Sequence, residues 1–145
     1  MTRRGRDLEK IIASLEKINM KNATIKSPDF IPDKDTGTPR EIDVSVRFSQ
    51  GTHDFLVIFE CRDRKARAGV EWIEQLANKS RSVRADKVIA VSSSGFTKNA
   101  TIKAKEYNIE CRTVAGHLGK TLVAWFNTDK NRTQLISFII RLLHL

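Results

Sequence analysis

The sequence predicts an α/β domain in which a central mixed β-sheet is flanked by helices. Short apolar runs of strand length alternate with stretches whose apolar residues recur at helical spacing. Their order is helix, strand, strand, helix, strand, helix, strand. Because the first two strands are separated by a short loop, we expect them to form a hairpin within this mixed sheet.

Local patterns define the first half of the chain. Apolar residues at helical spacing predict a helix over 6–19, and the prolines within 23–39 indicate extended chain followed by a loop. Residues 41–48, EIDVSVRF, alternate between apolar and polar, which predicts a strand with one covered face. Residues 49–54, SQGTHD, have the composition of a turn. Residues 55–60 are apolar on both faces, as is typical of a central strand.

The second half of the core alternates helices and strands. We expect a helix over 69–84, a buried strand over 87–93, a helix over 98–107 capped by Thr97, and a strand over 109–114. The inner stripe of the first of these helices is predicted to contain Ile73, Leu76, Ala77, Ser80 and Val83.

We expect one domain over residues 1–145, with a core at about 5–114 and an extension at 115–145. Within the extension, 122–126 has the pattern of an edge strand. Residues 131–143 form a strongly apolar helical pattern that fits either docking on the domain or formation of a homodimer.

The charge balance points to a polyanionic partner. Lys and Arg number 26 against 17 Asp and Glu, for a net charge of +9. Nucleic acid is the partner that this charge favours, ahead of an anionic membrane surface or a merely solubilising surface. The sequence has no apolar stretch of membrane-spanning or signal-peptide type, so we expect no membrane association and a cytoplasmic location.

Two carboxylates lie where a metal ion could be held. Asp43 is on the polar face of the first hairpin strand and Glu60 is at the end of the second. Adjacent strands are about 5 Å apart, and Mg²⁺ prefers oxygen ligands that include one or two carboxylates. Arg62 points to the same side as Glu60, where its charge would stabilise a phosphate. This arrangement suits phosphodiester hydrolysis.

These residues lie in segments that resemble the PD-(D/E)XK nuclease superfamily, and more narrowly the Mrr-type restriction endonucleases. The segments, in the family's order, are GRDLEKIIASLEK, TGTPREIDVSV, FECRDRKARAGVEWIEQL and KVIAVSSSGFTKNATIKAKEYNIE. The resemblance implies a restriction-endonuclease-like fold and a DNA endonuclease that uses Mg²⁺, with Mn²⁺ as an alternative.

The resemblance also implies a role for each matching residue. Asp43 and Glu60 match the metal-binding Asp and the Glu of the ExK motif, Glu9 matches an acidic residue that assists the metal, and Gln75 matches a Gln near the catalytic site. Arg62 replaces the Lys of the motif, and it cannot act as a base because it stays protonated. Beside it, Arg64, Lys65 and Arg67 are expected to contact the DNA backbone.

Other interpretations stay open at the level of sequence. Asp43 could be a solvated strand residue, Glu60 could pair with Arg62 or Arg64, and Glu9 and Gln75 could be ordinary surface residues. Asp29, which follows Pro28, is the other candidate for the metal-binding Asp, but its segment has the composition of a turn. The alternatives to a nuclease are a catalytically impaired DNA-binding module on the same fold, and an oligomerisation or interaction domain. The sequence specifies neither the DNA that is recognised nor the oligomeric state.

Overall fold

The computed structural model describes residues 23–113. The elements in chain order are β1 (Thr24–Lys26), β2 (Asp29–Pro32), β3 (Pro39–Ile42), β4 (Val44–Gln50), β5 (His53–Arg62), α1 (Val70–Ser82), β6 (Lys87–Ser92), α2 (Lys98–Glu106) and β7 (Ile109–Thr113). The helix predicted over 6–19, the strand over 122–126 and the helix over 131–143 lie outside the described residues.

A five-stranded mixed sheet forms the centre of the described region, which confirms the predicted fold class. The strand order is β1-β4-β5-β6-β7. Strands β1, β4 and β5 pair antiparallel, whereas β5, β6 and β7 pair parallel. Strand β5 is therefore central and joins the two halves. Strands β2 and β3 form a separate two-stranded sheet that the sequence did not predict.

The strands of the β4–β5 hairpin extend further towards the turn than predicted, and the turn is correspondingly shorter. The pairing runs from Val44 opposite Phe59 to Gln50 opposite His53, so only Gly51 and Thr52 form the turn. Gly51 has φ of +63°, a value that glycine adopts without steric cost. The prediction of a turn over 49–54 was wrong because polar residues can continue a ladder at an exposed end of a sheet, where pairing needs only the backbone.

The strand predicted over 41–48 is in fact interrupted at Asp43. Glu41 and Ile42 end β3 and pair with β2, whereas β4 begins at Val44 and pairs with β5. In the sequence, apolar and polar residues alternate without interruption through this break. The pattern therefore does not reveal where the chain leaves one sheet for the other. The break is what places Asp43 at the rim of the larger sheet.

The two helices cover one face of this sheet. Ile73 and Leu76 of α1 belong to a buried cluster with Ile58 of β5 and Ala90 of β6. Trp72 is also buried, although the predicted stripe did not include it, whereas Ala77 and Ser80 are only half-buried. Burying a large apolar side chain stabilises the fold by about 1.5–3 kcal/mol, so these contacts hold α1 firmly against the sheet.

Buried residues also occupy the opposite face of the sheet. They are Val44, Val46, Val57, Phe59, Ile89 and Val91. This confirms that β5 is a central strand buried on both faces, as its uninterrupted apolar run predicted.

Helix α2 begins at Lys98, as predicted, and ends at Glu106, one residue before the predicted end. The side-chain oxygen of Thr97 accepts a hydrogen bond from the Ala100 N–H at 3.1 Å, which satisfies one free donor of the first turn. Asn108 has φ of +55° just beyond the helix, in the left-handed region that Asn tolerates. Neither helix in residues 23–113 has the length and apolar character needed to cross a membrane.

Candidate active site

Asp43 lies at the interruption between β3 and β4, directly beside the end of β5. Its side-chain Oδ2 accepts a hydrogen bond from the Cys61 N–H at 2.8 Å, and its main-chain oxygen accepts one from the Ser27 hydroxyl at 2.8 Å. Asp43 is buried. These contacts orient its carboxylate towards the end of the central strand, which excludes the interpretation of Asp43 as a freely solvated strand residue.

Glu60 occupies the neighbouring position on β5 and is only 4% exposed. Its Oε2 accepts a hydrogen bond from the Asp43 N–H at 3.3 Å, whereas the Asp43 carboxylate accepts one from Cys61, the residue after Glu60. On its other side, Glu60 lies opposite Ala90 of β6, which offers no polar side chain. The hairpin thus brings together the two carboxylates that the sequence analysis paired.

Burial and the nearby charge make Glu60 unusually basic. Burial, followed by repulsion from Asp43, raises the pKa of Glu60 from 4.5 to about 8, although the positive charge of Lys79 opposes this rise. A buried carboxyl group whose pKa is shifted this far, beside a second acidic side chain, is typical of a functional site.

Lys79 is the residue of this site to which the sequence assigned no role at the carboxylates, only a place among the basic residues expected to contact the DNA backbone. Its Nζ forms an ion pair with Oε1 of Glu60 from the last turn of α1. Oε1 accepts no other contact from the described residues. Lys79 stands four residues after Gln75, on the same side of the helix. That spacing was the one feature of the sequence that could have placed Lys79 near the predicted site. Within a cluster of basic residues, it did not distinguish Lys79 from its neighbours.

Arg62 does not pair with either carboxylate. Its guanidinium carbon lies 4.8 Å from the centre of the Trp72 ring, and Trp72 in turn stacks on Phe96 with ring centres 6.2 Å apart. Arginine is suited to this contact because its planar cation packs on an aromatic face. Burial, and then the charge of Arg64, lowers the pKa of Arg62. The alternative in which Glu60 pairs with Arg62 or Arg64 is therefore wrong, since Glu60 pairs with Lys79.

The other predicted site residues are less closely tied to the carboxylates. Gln75 is exposed on α1 and forms no hydrogen bond with the described residues. Glu9 lies outside the described residues.

The three basic residues after β5, Arg64, Lys65 and Arg67, are exposed in the segment that joins β5 to α1; we call them the basic loop. Backbone hydrogen bonds hold this segment against the one that joins β6 to α2: the Ala68 N–H donates to the Gly95 oxygen at 2.9 Å, and the Ser93 N–H donates to the Arg62 oxygen at 3.0 Å. The basic loop therefore stands on a fixed backbone at the same edge of the sheet as Glu60.

Asp29 belongs to a different set of contacts. It begins β2 rather than lying in the expected turn, and its Oδ2 accepts hydrogen bonds from the Ser45 hydroxyl at 2.7 Å and from Arg47 at 2.6 Å. Burial raises the pKa of Asp29, but the bonds from Ser45 and Arg47 outweigh that effect and hold it below the usual value. The carboxylate is thus fully engaged in joining β2 to β4.

The donor set fits a hard divalent cation. Asp43 and Glu60 offer carboxylate oxygens at one buried point, where burial, followed by repulsion from Asp43, raises the pKa of Glu60. Mg²⁺ commonly takes one or two protein carboxylates and completes its shell with water and phosphate. No group of three or more acidic, histidine or cysteine side chains suited to a metal occurs in residues 23–113.

Comparison with solved structures shows the fold. A protein of unknown function, AF1548, matches with a TM-score of 0.62 and 12% identity, over 95% of this chain and 77% of that one. Protein VC1899 from Vibrio cholerae matches with a TM-score of 0.56 and 16% identity, over 86% of this chain and 33% of that one. The MspJI restriction endonuclease, solved in complex with a 27-mer oligonucleotide, matches with a TM-score of 0.54 and 14% identity. The match covers 96% of this chain and 32% of that one. The chain thus spans about a third of the last two proteins.

A search of curated proteins returned no significant match. Comparison with family models, by contrast, identifies the family to which the chain belongs. The model Mrr_cat, restriction endonuclease, matches residues 5–124, which include both carboxylates, Lys79 and the whole mixed sheet. The chain therefore belongs to the Mrr_cat family of restriction endonuclease domains.

Proposed function

We propose that this chain is a Mg²⁺-dependent endonuclease domain that hydrolyses phosphodiester bonds in DNA. The observation that carries the proposal is the pair of buried carboxylates of Asp43 and Glu60 at the rim of the sheet, where Glu60 accepts a hydrogen bond from the Asp43 N–H and Asp43 accepts one from the Cys61 N–H. Family membership supports the reaction class. The geometry supports the position at which the reaction would occur.

The two carboxylates would hold the cation through their oxygens, with Glu9 and Gln75 as the proposed supporting residues. A bound Mg²⁺ would supply Lewis-acid activation of the scissile phosphate and of water. Asp43 and Glu60 would keep this site at one fixed point, because both residues are buried and β4, which follows Asp43, is paired with β5. Mn²⁺ is expected to substitute, since it binds the same oxygen ligands.

DNA is the proposed substrate. The basic loop and Arg62 lie at the sheet edge that carries Glu60, and the whole chain has a net charge of +9. Contacts from such residues to phosphates give affinity that is strong at low salt and insensitive to sequence. The oligonucleotide complex of the structurally similar MspJI is consistent with this substrate. A homodimer and a cytoplasmic location stay predictions from the sequence.

A plasmid-nicking assay tests the proposal. Wild type should nick supercoiled DNA in Mg²⁺ or Mn²⁺ and not in EDTA. Glu60→Gln should lose this activity while keeping its affinity for DNA. Glu106→Gln, an exposed change of the same chemical type at the end of α2, is the matched control and should behave as wild type. Equal nicking by wild type and Glu60→Gln would refute the assignment.

A DNA-binding module that does not cut is the second candidate, because the guanidinium of Arg62 is directed to Trp72 rather than to the carboxylates. It predicts a gel shift without cleavage in any metal, and a gain of cleavage in Arg62→Lys. The third interpretation, an interaction domain built on residues 131–143, predicts a stable oligomer with no DNA affinity at low salt.

A further inference from the structure

We propose that Lys79 supplies the cation that meets the DNA phosphate at this site, and that Arg62, which stands at the motif position, serves to anchor the sheet edge through its aromatic stack. This inference rests on the proposed function. It concerns which residue carries the positive charge of the site, a role that the sequence motif would give to position 62.

Lys79 is placed for contact with both Glu60 and a phosphate. Its side chain is 21% exposed, whereas that of Glu60 is 5% exposed, so Lys79 both contacts the buried carboxylate and reaches the solvent. An ammonium group has three N–H donors. Lys79 makes no second ion pair or side-chain hydrogen bond with the described residues, so donors are available to a phosphate that approaches Glu60.

Arg62 is occupied elsewhere. Its guanidinium packs over Trp72 at 4.8 Å, Trp72 is 8% exposed, and the Trp72 ring stacks on Phe96. No ion pair joins Arg62 to Asp43 or Glu60, although all three residues lie in the described region. To reach the carboxylates, Arg62 would have to leave the aromatic face. The stack ties the end of β5 to α1 and to the loop before α2.

The position of Lys79 is set by packing rather than by its own contacts. Leu76, one turn earlier in α1, and Val83, the residue directly after α1, are both buried in the core cluster. They fix the backbone of the helix on either side of Lys79. A positive charge held in place before the substrate arrives stabilises developing negative charge without reorganisation. A Lys from the helix can therefore replace a Lys from the strand, because only the position of the ammonium group matters.

Three variants of the full chain test this in the nicking assay. Lys79→Met should lower the cleavage rate about 100-fold or more, the scale of one lost preorganised contact, while the salt slope of DNA binding falls by only about 1. The double variant Arg62→Lys, Lys79→Met should recover part of the activity, because it returns an ammonium group to the strand. Lys105→Met, an exposed change on α2, is the control and should match wild type.

A wild-type rate of cleavage in Lys79→Met would overturn the proposal, as would a larger loss of cleavage in Arg62→Met than in Lys79→Met.

A second measurement does not depend on cleavage. The ¹⁵Nζ resonance of Lys79, assigned with Lys79→Arg, should shift when duplex DNA is added with Ca²⁺, whereas that of Lys105 should not. An unchanged Lys79 resonance in a sample that binds DNA would refute the contact. If wild type binds DNA but never cuts it, the proposed function fails, and the resonance still decides the role of Lys79.

Discussion

The raised pKa of Glu60 gives this protein a pH dependence of stability that can be measured without any substrate. In the folded chain the pKa is about 8, because burial and Asp43 disfavour the ionised form, whereas the ordinary value is 4.5. Between these two values the folded state holds a proton that the unfolded state has released. Raising the pH through this window therefore lowers the free energy of unfolding.

The magnitude follows from the two pKa values. Each pH unit between them is worth about 1.4 kcal/mol, so raising the pH from about 5 to about 8 in metal-free buffer should remove about 4 kcal/mol. Glu60 is 4% exposed, so solvent screens little of this effect. For a domain whose total stability is about 5–15 kcal/mol, the loss is easily measured.

Urea unfolding at a series of pH values, in EDTA, is the assay, with Glu60→Gln as the reference. The amide has nearly the same shape but does not titrate, so the difference between the two proteins isolates the contribution of Glu60. We expect Glu60→Gln to become the more stable of the two proteins as the pH rises. Adding Mg²⁺ should reduce this difference in stability, because a ligand that binds folded wild type stabilises its folded state. A difference that stays constant from about pH 5 to about pH 8 would refute the reasoning.

Three further predictions concern other parts of the molecule. Asp29→Asn should lower the free energy of unfolding by about 1–3 kcal/mol, because the bonds from Arg47 and Ser45 are weakened, yet nicking per folded molecule should not change; loss of nicking in a folded variant would assign the metal role to Asp29 instead. Thr97→Ala should cost about 1 kcal/mol in urea unfolding through loss of the helix cap, with Thr97→Ser close to wild type; equal losses in both would contradict a capping role. Replacing all three residues of the basic loop with Gln should reduce the salt slope of DNA binding by about 0.9 for each lost phosphate contact, and an unchanged slope would show that DNA binds elsewhere.

The sequence predicted those elements whose patterns are local. The central strand β5, the two helices and the cap at Thr97 are all visible in periodicity or in single residues, because burial and capping act within a few positions. Family resemblance added the assignment of Asp43 and Glu60, and the hairpin register brings the two together. The small sheet of β2 and β3 was missed, because four-residue strands between prolines carry no clear period.

By itself, the sequence determined the α/β architecture, the family, and the hairpin that brings two carboxylates to the rim of the sheet. Only the tertiary structure decided which cation meets them. Arg62 has the position of the motif residue, but the packing of Trp72 against Phe96 offers its guanidinium an aromatic face. Lys79 looks like one basic residue among several, but the buried contacts of α1 place its ammonium group on Glu60. The pairing depends on how a helix docks on a sheet, and no pattern within either segment encodes that contact.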